Sequence, residues 1–303
     1  MANMTDKTSV GECGEEGLVE KLKNILPQSE GVIVGPGDDC AVVRSGGDLW
    51  ELLKTDCVVE GIHFSPETDA ALVGKKAMNR VLSDFAAMGG LPRYALVTLA
   101  CDGDREVSQI EGWYQAMAEA AGRFDCSIVG GETTRIPYAG ALLSIAMTGV
   151  VEPDKCVMRS CAKVGDVIAV TGRLGGSFES GRHLDFLPRI SEARWLVENG
   201  KPNAMMDLSD GLGSDLPRMA AASGVGYRVD FEALPQHEGV EIGGAISDGE
   251  DYELLATFSS DVYAQIGGRW REAFPETELT AIGEITERVE TPIDRGWEHY
   301  RKS

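Results

Sequence analysis

Asn79-Arg-Val-Leu-Ser-Asp84-Phe-Ala-Ala-Met-Gly89-Gly90 is the stretch on which the fold of this chain turns. It ends the clearest helical pattern in the sequence, residues 68–88, and Gly89-Gly90 supplies the stop signal. A strand pattern, Tyr94–Cys101, follows directly. Asp84 lies inside the helix with Val81, Ala87 and Met88 as its helical neighbours, beside the apolar stripe. A buried carboxylate without a partner costs on the order of several kcal/mol. Asp84 therefore needs a cation, either Arg80 one turn back or a metal ion.

The same pattern recurs outward along the chain. Short acidic patches marked by glycine or threonine follow or end apolar runs: Gly35-Pro-Gly-Asp38-Asp39, Thr55-Asp56, Gly130-Gly131-Glu132-Thr133-Thr134-Arg135, Asp207-Leu-Ser209-Asp210-Gly211 and Gly249-Glu250-Asp251-Tyr252. A strand or helix before each patch would deliver it to one end of a fold. Carboxylates gathered there repel each other and stay ionised together only with cations between them. Oxygen ligands without a His/Cys cluster suit Mg²⁺, which usually accompanies phosphates. Gly130-Gly131 with its flanking hydroxyls and Arg135 is a candidate phosphate cradle, and Gly172–Gly176 a weaker one. For Asp210 a helix cap is the alternative role. His63, one of four histidines, is by itself better explained by a structural or surface role than by a functional one. The sequence contains no Gly-x₄-Gly-Lys-[Ser/Thr], no Gly-x-Gly-x-x-Gly opening a βαβ unit and no Gly-x-Ser-x-Gly.

Among 303 residues, 49 Asp and Glu outnumber 28 Lys and Arg, for a formal net charge of −21. That balance argues against binding to nucleic-acid backbones or anionic membranes. Seven scattered cysteines without a Cys-x-x-Cys pair fit a reducing compartment, with neither zinc site nor disulfide framework. No apolar run approaches the roughly 20 residues of a membrane span, and Met1–Asp6 has no signal-peptide character. The expectation is a cytoplasmic protein.

Helical and strand patterns mix in near alternation on both sides of Glu152-Pro153-Asp154. The expectation is two α+β domains, residues 1–152 and 153–303.

Taken in order, these motifs resemble those of the thiamine-monophosphate kinases, within the superfamily of aminoimidazole-ribonucleotide synthetase. The resemblance rests on Gly37-Asp-Asp-Cys-Ala-Val, Thr55-Asp-Cys-Val-Val-Glu-Gly-Ile-His63-Phe64, Asn79–Gly89, Gly130-Gly-Glu-Thr-Thr-Arg, Arg159-Ser-Cys-Ala-Lys-Val-Gly-Asp166, Asp207-Leu-Ser-Asp-Gly-Leu, Gly249-Glu-Asp-Tyr-Glu-Leu254 and Gly296-Trp-Glu-His-Tyr300. It covers nearly the whole chain. It implies a two-domain α+β fold of the aminoimidazole-ribonucleotide synthetase type. The N-terminal domain would bind ATP and Mg²⁺ and form a β-barrel across a homodimer, and the C-terminal domain would close the cleft. The implied partners are thiamine monophosphate and ATP, with no nucleic acid and no membrane. The implied reaction is transfer of the γ-phosphoryl group of ATP to thiamine monophosphate, assisted by several Mg²⁺ ions. Another ATP-dependent synthetase of the superfamily, or a silent nucleotide-binding homologue, is the alternative.

Carried over position by position, the resemblance makes Asp39, Thr55, Asp56, Asp84, Glu132, Asp207 and Asp210 metal ligands. It makes Gly131, Arg159 and Ser209 ATP contacts, and His63, Glu250 and Trp297 contacts to the thiamine phosphate. Four positions depart from the family pattern. Glu132 stands for Asp, Lys54 for Ser or Thr, Asp248 for Gly and Trp297 for Tyr. No catalytic nucleophile is expected, because the attacking group is already a phosphate oxygen and needs positioning and charge neutralisation.

Overall fold

The structure is a computed structural model, described for residues 9–293 apart from Gln28 and Ser45. In chain order the first half contains α1 (Val10–Lys23), β1 (Val32–Val34), β2 (Ala41–Arg44), β3 (Trp50–Val59), α2 (Ala70–Ala87), β4 (Leu91–Cys101), α3 (Val107–Gly122), β5 (Ser127–Arg135) and β6 (Ala141–Val151). The second half contains β7 (Val167–Thr171), α4 (Ser177–Ser180), α5 (Ile190–Asn199), β8 (Ala204–Asp207), α6 (Leu212–Ser223), β9 (Gly226–Val229), α7 (Ile242–Ser247), β10 (Leu254–Phe258), α8 (Ser260–Ala273) and β11 (Leu279–Thr286). Two short 3₁₀ turns, at Arg182–Leu184 and Phe231–Ala233, complete it.

β1–β6 form one sheet in the order β1-β2-β3-β6-β4-β5. Its one parallel pair is β4 with β5, joined by α3 as a crossover helix. β7–β11 form a second, fully antiparallel sheet in the order β8-β10-β7-β11-β9.

α2 is the spine between them. Asp69 caps its start by accepting the Ala71 N–H at 2.8 Å. Gly89, in the left-handed region at φ 68°, ends it. The Gly90 N–H donates to Phe85 O and the Gly89 N–H to Ala86 O, a Schellman stop. The helix packs on α3, β3 and β6 on one side and on α5 and β8 on the other. It is consequently buried nearly all round, Lys76, Asn79, Ser83 and Asp84 included.

One core runs from Val42, Leu52, Phe85 and Leu143 through Leu196 to Leu254, Phe258 and Trp270. A second core, with Ile168, Val170, Met206, Leu255 and Ile285, lies on the other face of the second sheet. β7 and β10 face both cores, so they read as continuous apolar runs.

Two local expectations change. β3 continues through Thr55-Asp56 to Val59 and does not end before them. Gly130-Gly131 lies within β5, where parallel pairing with β4 fixes it. A Cβ at Gly131 would run into the Val97 backbone, so this glycine is needed for strand contact and not to form a turn.

Phe85 is fully buried where α2 meets the first sheet. Phe85→Ala should cost about 3–5 kcal/mol in denaturant unfolding. A loss below about 1 kcal/mol would contradict this account of the core.

Candidate active site

Three separate segments bring carboxylates together beside α2. Asp39 enters from the turn before β2, Asp84 from the last full turn of α2 and Asp207 from the end of β8. Each offers an oxygen within 4.8 Å of the others, and all three are buried. Each already has a partner within the chain. The Lys54 ammonium on β3 stands 2.6 Å from Asp84 Oδ1. The Arg159 guanidinium pairs with Asp39 Oδ1 and stands 3.5 Å from Asp38 Oδ1. The Ser83 hydroxyl donates to Asp207 Oδ2 at 2.6 Å. Asp39 Oδ2 is buried and accepts no hydrogen bond among the described residues.

Burial, with Asp39 adding to it, pushes Asp207 up to about 6. The same two causes push Asp38 to about 6. Burial also drives Asp84 above its ordinary value, with Lys54 opposing and Asp207, Asp56 and Asp39 reinforcing. These groups share one low-dielectric space and stay charged there only with cations.

A cleft of about 310 Å³ runs from Asp84 and Asp207 past Asp56, Arg80, Ser209 and Asp210 to Ile62, His63, Phe178, Glu250 and Tyr252. Its far end is a cluster of mixed charge. Glu250 accepts from Lys76 at 2.7 Å and from Arg80 at 3.4 Å, with His183 Nδ1 at 3.1 Å. Burial alone would raise Glu250, but His183, Lys76 and Arg80 hold it at about 2. Burial lowers Lys76 to about 8, with Glu250 opposing. Arg80 Nε also binds Asp56 Oδ2 at 2.9 Å. His63 Nδ1 accepts the Val59 N–H at 3.0 Å, which leaves the proton of a neutral ring on Nε2. Burial, then Arg80 and Lys76, lower His63 to about 4, so the ring is neutral at pH 7.

Strained backbone presents Glu250. Gly249, Glu250 and Tyr252 have φ of 69°, 53° and 52°. Left-handed non-glycine residues cost on the order of 1–3 kcal/mol each and persist where the surroundings over-determine them. Here the Glu250 N–H donates to Ser209 O at 2.7 Å and the Tyr252 N–H to Leu208 O at 2.9 Å. The Asp207–Gly211 and Gly249–Tyr252 motifs thus brace each other. Asp248 lines the cleft and accepts the Gly176 N–H at 2.8 Å, tying in the Gly172–Gly176 loop.

The residues singled out in the sequence divide as follows. Asp39, Asp84 and Asp207 converge, and Asp56, Ser209, Asp210, His63 and Glu250 line the adjoining cleft. Arg159 binds Asp39. Asp210 pairs with Arg218 and does not cap α6, whose N-cap is Gly211. Thr55 lies on the face of β3 opposite Lys54 and Asp56, 3.5 Å from the Ser144 hydroxyl. Gly131 and Glu132 lie exposed on the edge strand β5, outside the cleft lining. Trp297 falls outside the described residues. Arg80 is not the partner of Asp84, since Lys54 is. Lys76 and His183 went unnoticed in the sequence. For Lys76 a signal existed: residues 76, 80 and 84 repeat at i, i+4 and present Lys, Arg and Asp along one helical row.

The chain matches the family models of AIR synthase related proteins, the N-terminal domain over residues 37–151 and the C-terminal domain over residues 177–293. It is 37% identical to the thiamine-monophosphate kinase of Rhodopirellula baltica, over 80% of this chain and 81% of that protein. It is 32% identical to that of Aquifex aeolicus, over 95% and 99%. A solved structure of AaThiL complexed with AMPPCP and TMP superposes with a TM-score of 0.83 at 31% identity, covering 97% of this chain and 100% of that one.

The raised Asp207 carboxyl has a measurable consequence. Its value rises from 3.8 to about 6 on folding. Between those values the folded chain holds more protons than the unfolded one, so this group's contribution to stability falls as pH rises through the window. Asp207→Asn removes the charge and can still accept from Ser83. In EDTA its stability relative to the unaltered chain should rise from about pH 4 to pH 7, by on the order of 2–3 kcal/mol. A difference independent of pH would contradict the burial of this charge.

Proposed function

The chain belongs to the thiamine-monophosphate kinase family and phosphorylates thiamine monophosphate with ATP; we propose that it does so with Mg²⁺ held by Asp39, Asp84 and Asp207. One observation carries the metal assignment: three buried carboxylates from distant segments converge, and a buried oxygen of one of them, Asp39 Oδ2, has no hydrogen-bond partner among the described residues. The donor set is all oxygen, which suits Mg²⁺. When bound, Mg²⁺ supplies charge neutralisation and alignment for the phosphate oxygens.

In the reaction an oxygen of the acceptor monophosphate attacks the γ-phosphorus. The bond from that phosphorus to the β,γ-bridging oxygen breaks, and ADP leaves with that oxygen. No base is needed, because the attacking oxygen is already anionic. Arg159 and Ser209 stand at the triad end, where ATP phosphates would lie, and a guanidinium such as that of Arg159 can donate to two oxygens of one phosphate group. Asp56 and Asp210 line the same cleft, held by Arg80 and Arg218. Thr55, Gly131 and Glu132 stand outside this set within a single chain.

The acceptor would occupy the other end. The Phe178 ring offers a flat apolar surface, His63 Nε2 a neutral donor and Glu250 an ionised carboxylate for a cationic ring. Arg80, between Asp56 and Glu250, faces the position where the two anionic substrates meet.

We assign residues 1–152 to the ATP- and Mg²⁺-binding, dimerising unit and residues 153–303 to the unit that closes the cleft. Support for a homodimer comes from the outer face of the first sheet, where Leu53, Tyr94, Leu96 and Val129 are exposed together with Thr55. A cytoplasmic setting is supported by seven unpaired cysteines. Among the described residues, no helix is long and apolar enough to cross a membrane.

Chromatography should detect thiamine diphosphate and ADP from thiamine monophosphate and ATP only when Mg²⁺ is present. Asp84→Asn should lower kcat at least about 100-fold, the scale of a lost charge-stabilising group. Full turnover in EDTA, or an undiminished Asp84→Asn enzyme, would remove the metal assignment. Separately, Leu96→Glu should halve the mass seen by light scattering. An unchanged mass would place the dimer contact elsewhere.

A further inference from the structure

Lys54 places a cation inside the carboxylate triad. On β3 the side chains of Lys54 and Asp56 point into the cleft, while Thr55 between them points away. The Lys54 ammonium binds Asp84 Oδ1 at 2.6 Å, and the Asp84 side chain is almost entirely buried. That oxygen is therefore already engaged by a cation of the chain itself. Mg²⁺ requires its ligands at about 2.1 Å in near-octahedral array.

The local charges can be counted. Asp38, Asp39, Asp84 and Asp207 carry four negative charges, and Arg159 and Lys54 return two positive ones. The remainder is the charge of one divalent ion. Without Lys54 the same carboxylates would be left with three negative charges, more than one divalent ion can neutralise.

We propose that the Lys54 ammonium is a tethered counter-ion that replaces one divalent cation at Asp84, so that the nucleotide-free protein takes up one ion fewer than its carboxylates would otherwise hold. The inference rests on the magnesium assignment above and adds a determinant of metal stoichiometry to it. A lysine suits this role because its ammonium is a compact point charge on a flexible stem. It keeps the triad folded before any metal arrives, and it makes folding of the site less dependent on Mg²⁺ concentration.

The test counts ions without relying on turnover. The full chain, stripped with EDTA and without nucleotide, is titrated with Mn²⁺, and free Mn²⁺ is followed by electron paramagnetic resonance. Lys54→Met removes the charge at similar length, Lys54→Arg keeps it, and Lys54→Thr serves if the Met variant does not fold. The neutral variants should bind one more Mn²⁺ per chain than the unaltered protein. They should also gain several degrees more in melting temperature on adding Mg²⁺, while Lys54→Arg matches the unaltered protein in both readouts. Equal stoichiometry and equal Mg²⁺ response in the neutral variants would overturn the proposal while leaving the metal assignment standing, and so would a gain of an ion by Lys54→Arg. If none of the proteins binds Mn²⁺, with or without the ATP analogue AMPPCP, the metal assignment itself falls, and this inference with it.

Discussion

Repulsion among Asp38, Asp39, Asp84 and Asp207 is the constraint around which the rest of the structure is arranged. Four carboxylates from three distant segments meet at the buried end of the cleft, where burial and mutual repulsion push Asp38, Asp84 and Asp207 above the usual carboxylate range. The chain answers with Lys54, Arg159 and the Ser83 hydroxyl. These partners offset the repulsion but do not satisfy every acceptor, and Asp39 Oδ2 has no hydrogen-bond partner among the described residues. An incomplete answer of that kind is unfavourable for stability alone. It is what a site for phosphate-bearing metal ions requires.

The fold makes this concentration of charge possible through α2. Because the helix is buried between two sheets, Arg80 and Asp84 of its polar row line a cleft, and Lys76 is buried behind it against Glu250. The row runs from a buried lysine through an arginine to an aspartate, so the cleft is graded along its length. The carboxylate end suits cations with phosphates. The other end, around Glu250, Phe178 and His63, is smaller in net charge and richer in ring surface. The strained Gly249–Tyr252 segment holds the Glu250 side chain against Lys76 and Arg80, and its backbone bonds to Leu208 and Ser209 link both ends of the cleft.

Much of this was legible in the sequence because it is local. The α2 pattern and its glycine stop follow from periodicity, and they fall within two residues of where the structure has them. The two-domain AIR synthase-type fold followed from the ordered motifs. The partner of Asp84 was not legible. Arg80, one turn back, looked suitable, yet it is turned towards Asp56 and Glu250, and the cation comes from Lys54, thirty residues earlier. His183 joins Lys76 from 107 residues away, which no local pattern encodes. Thr55 and Asp56 were both expected at the metals, although neighbouring residues of a strand face opposite ways. Once β3 is seen to run through them, only Asp56 faces the cleft. Glu132 shares this limit: its Gly-Gly setting looked like a phosphate cradle but is edge strand.

The central claim is that these carboxylates gather in order to hold divalent ions against nucleotide phosphates. The most direct measurement is a crystal of the chain grown with Mn²⁺ and AMPPCP, with anomalous scattering used to locate the metal. The account predicts a strong anomalous peak between Asp39, Asp84 and Asp207, about 2.2 Å from their oxygens, with analogue phosphates on its open side. Nucleotide bound in the cleft with no anomalous peak among these three side chains would contradict it.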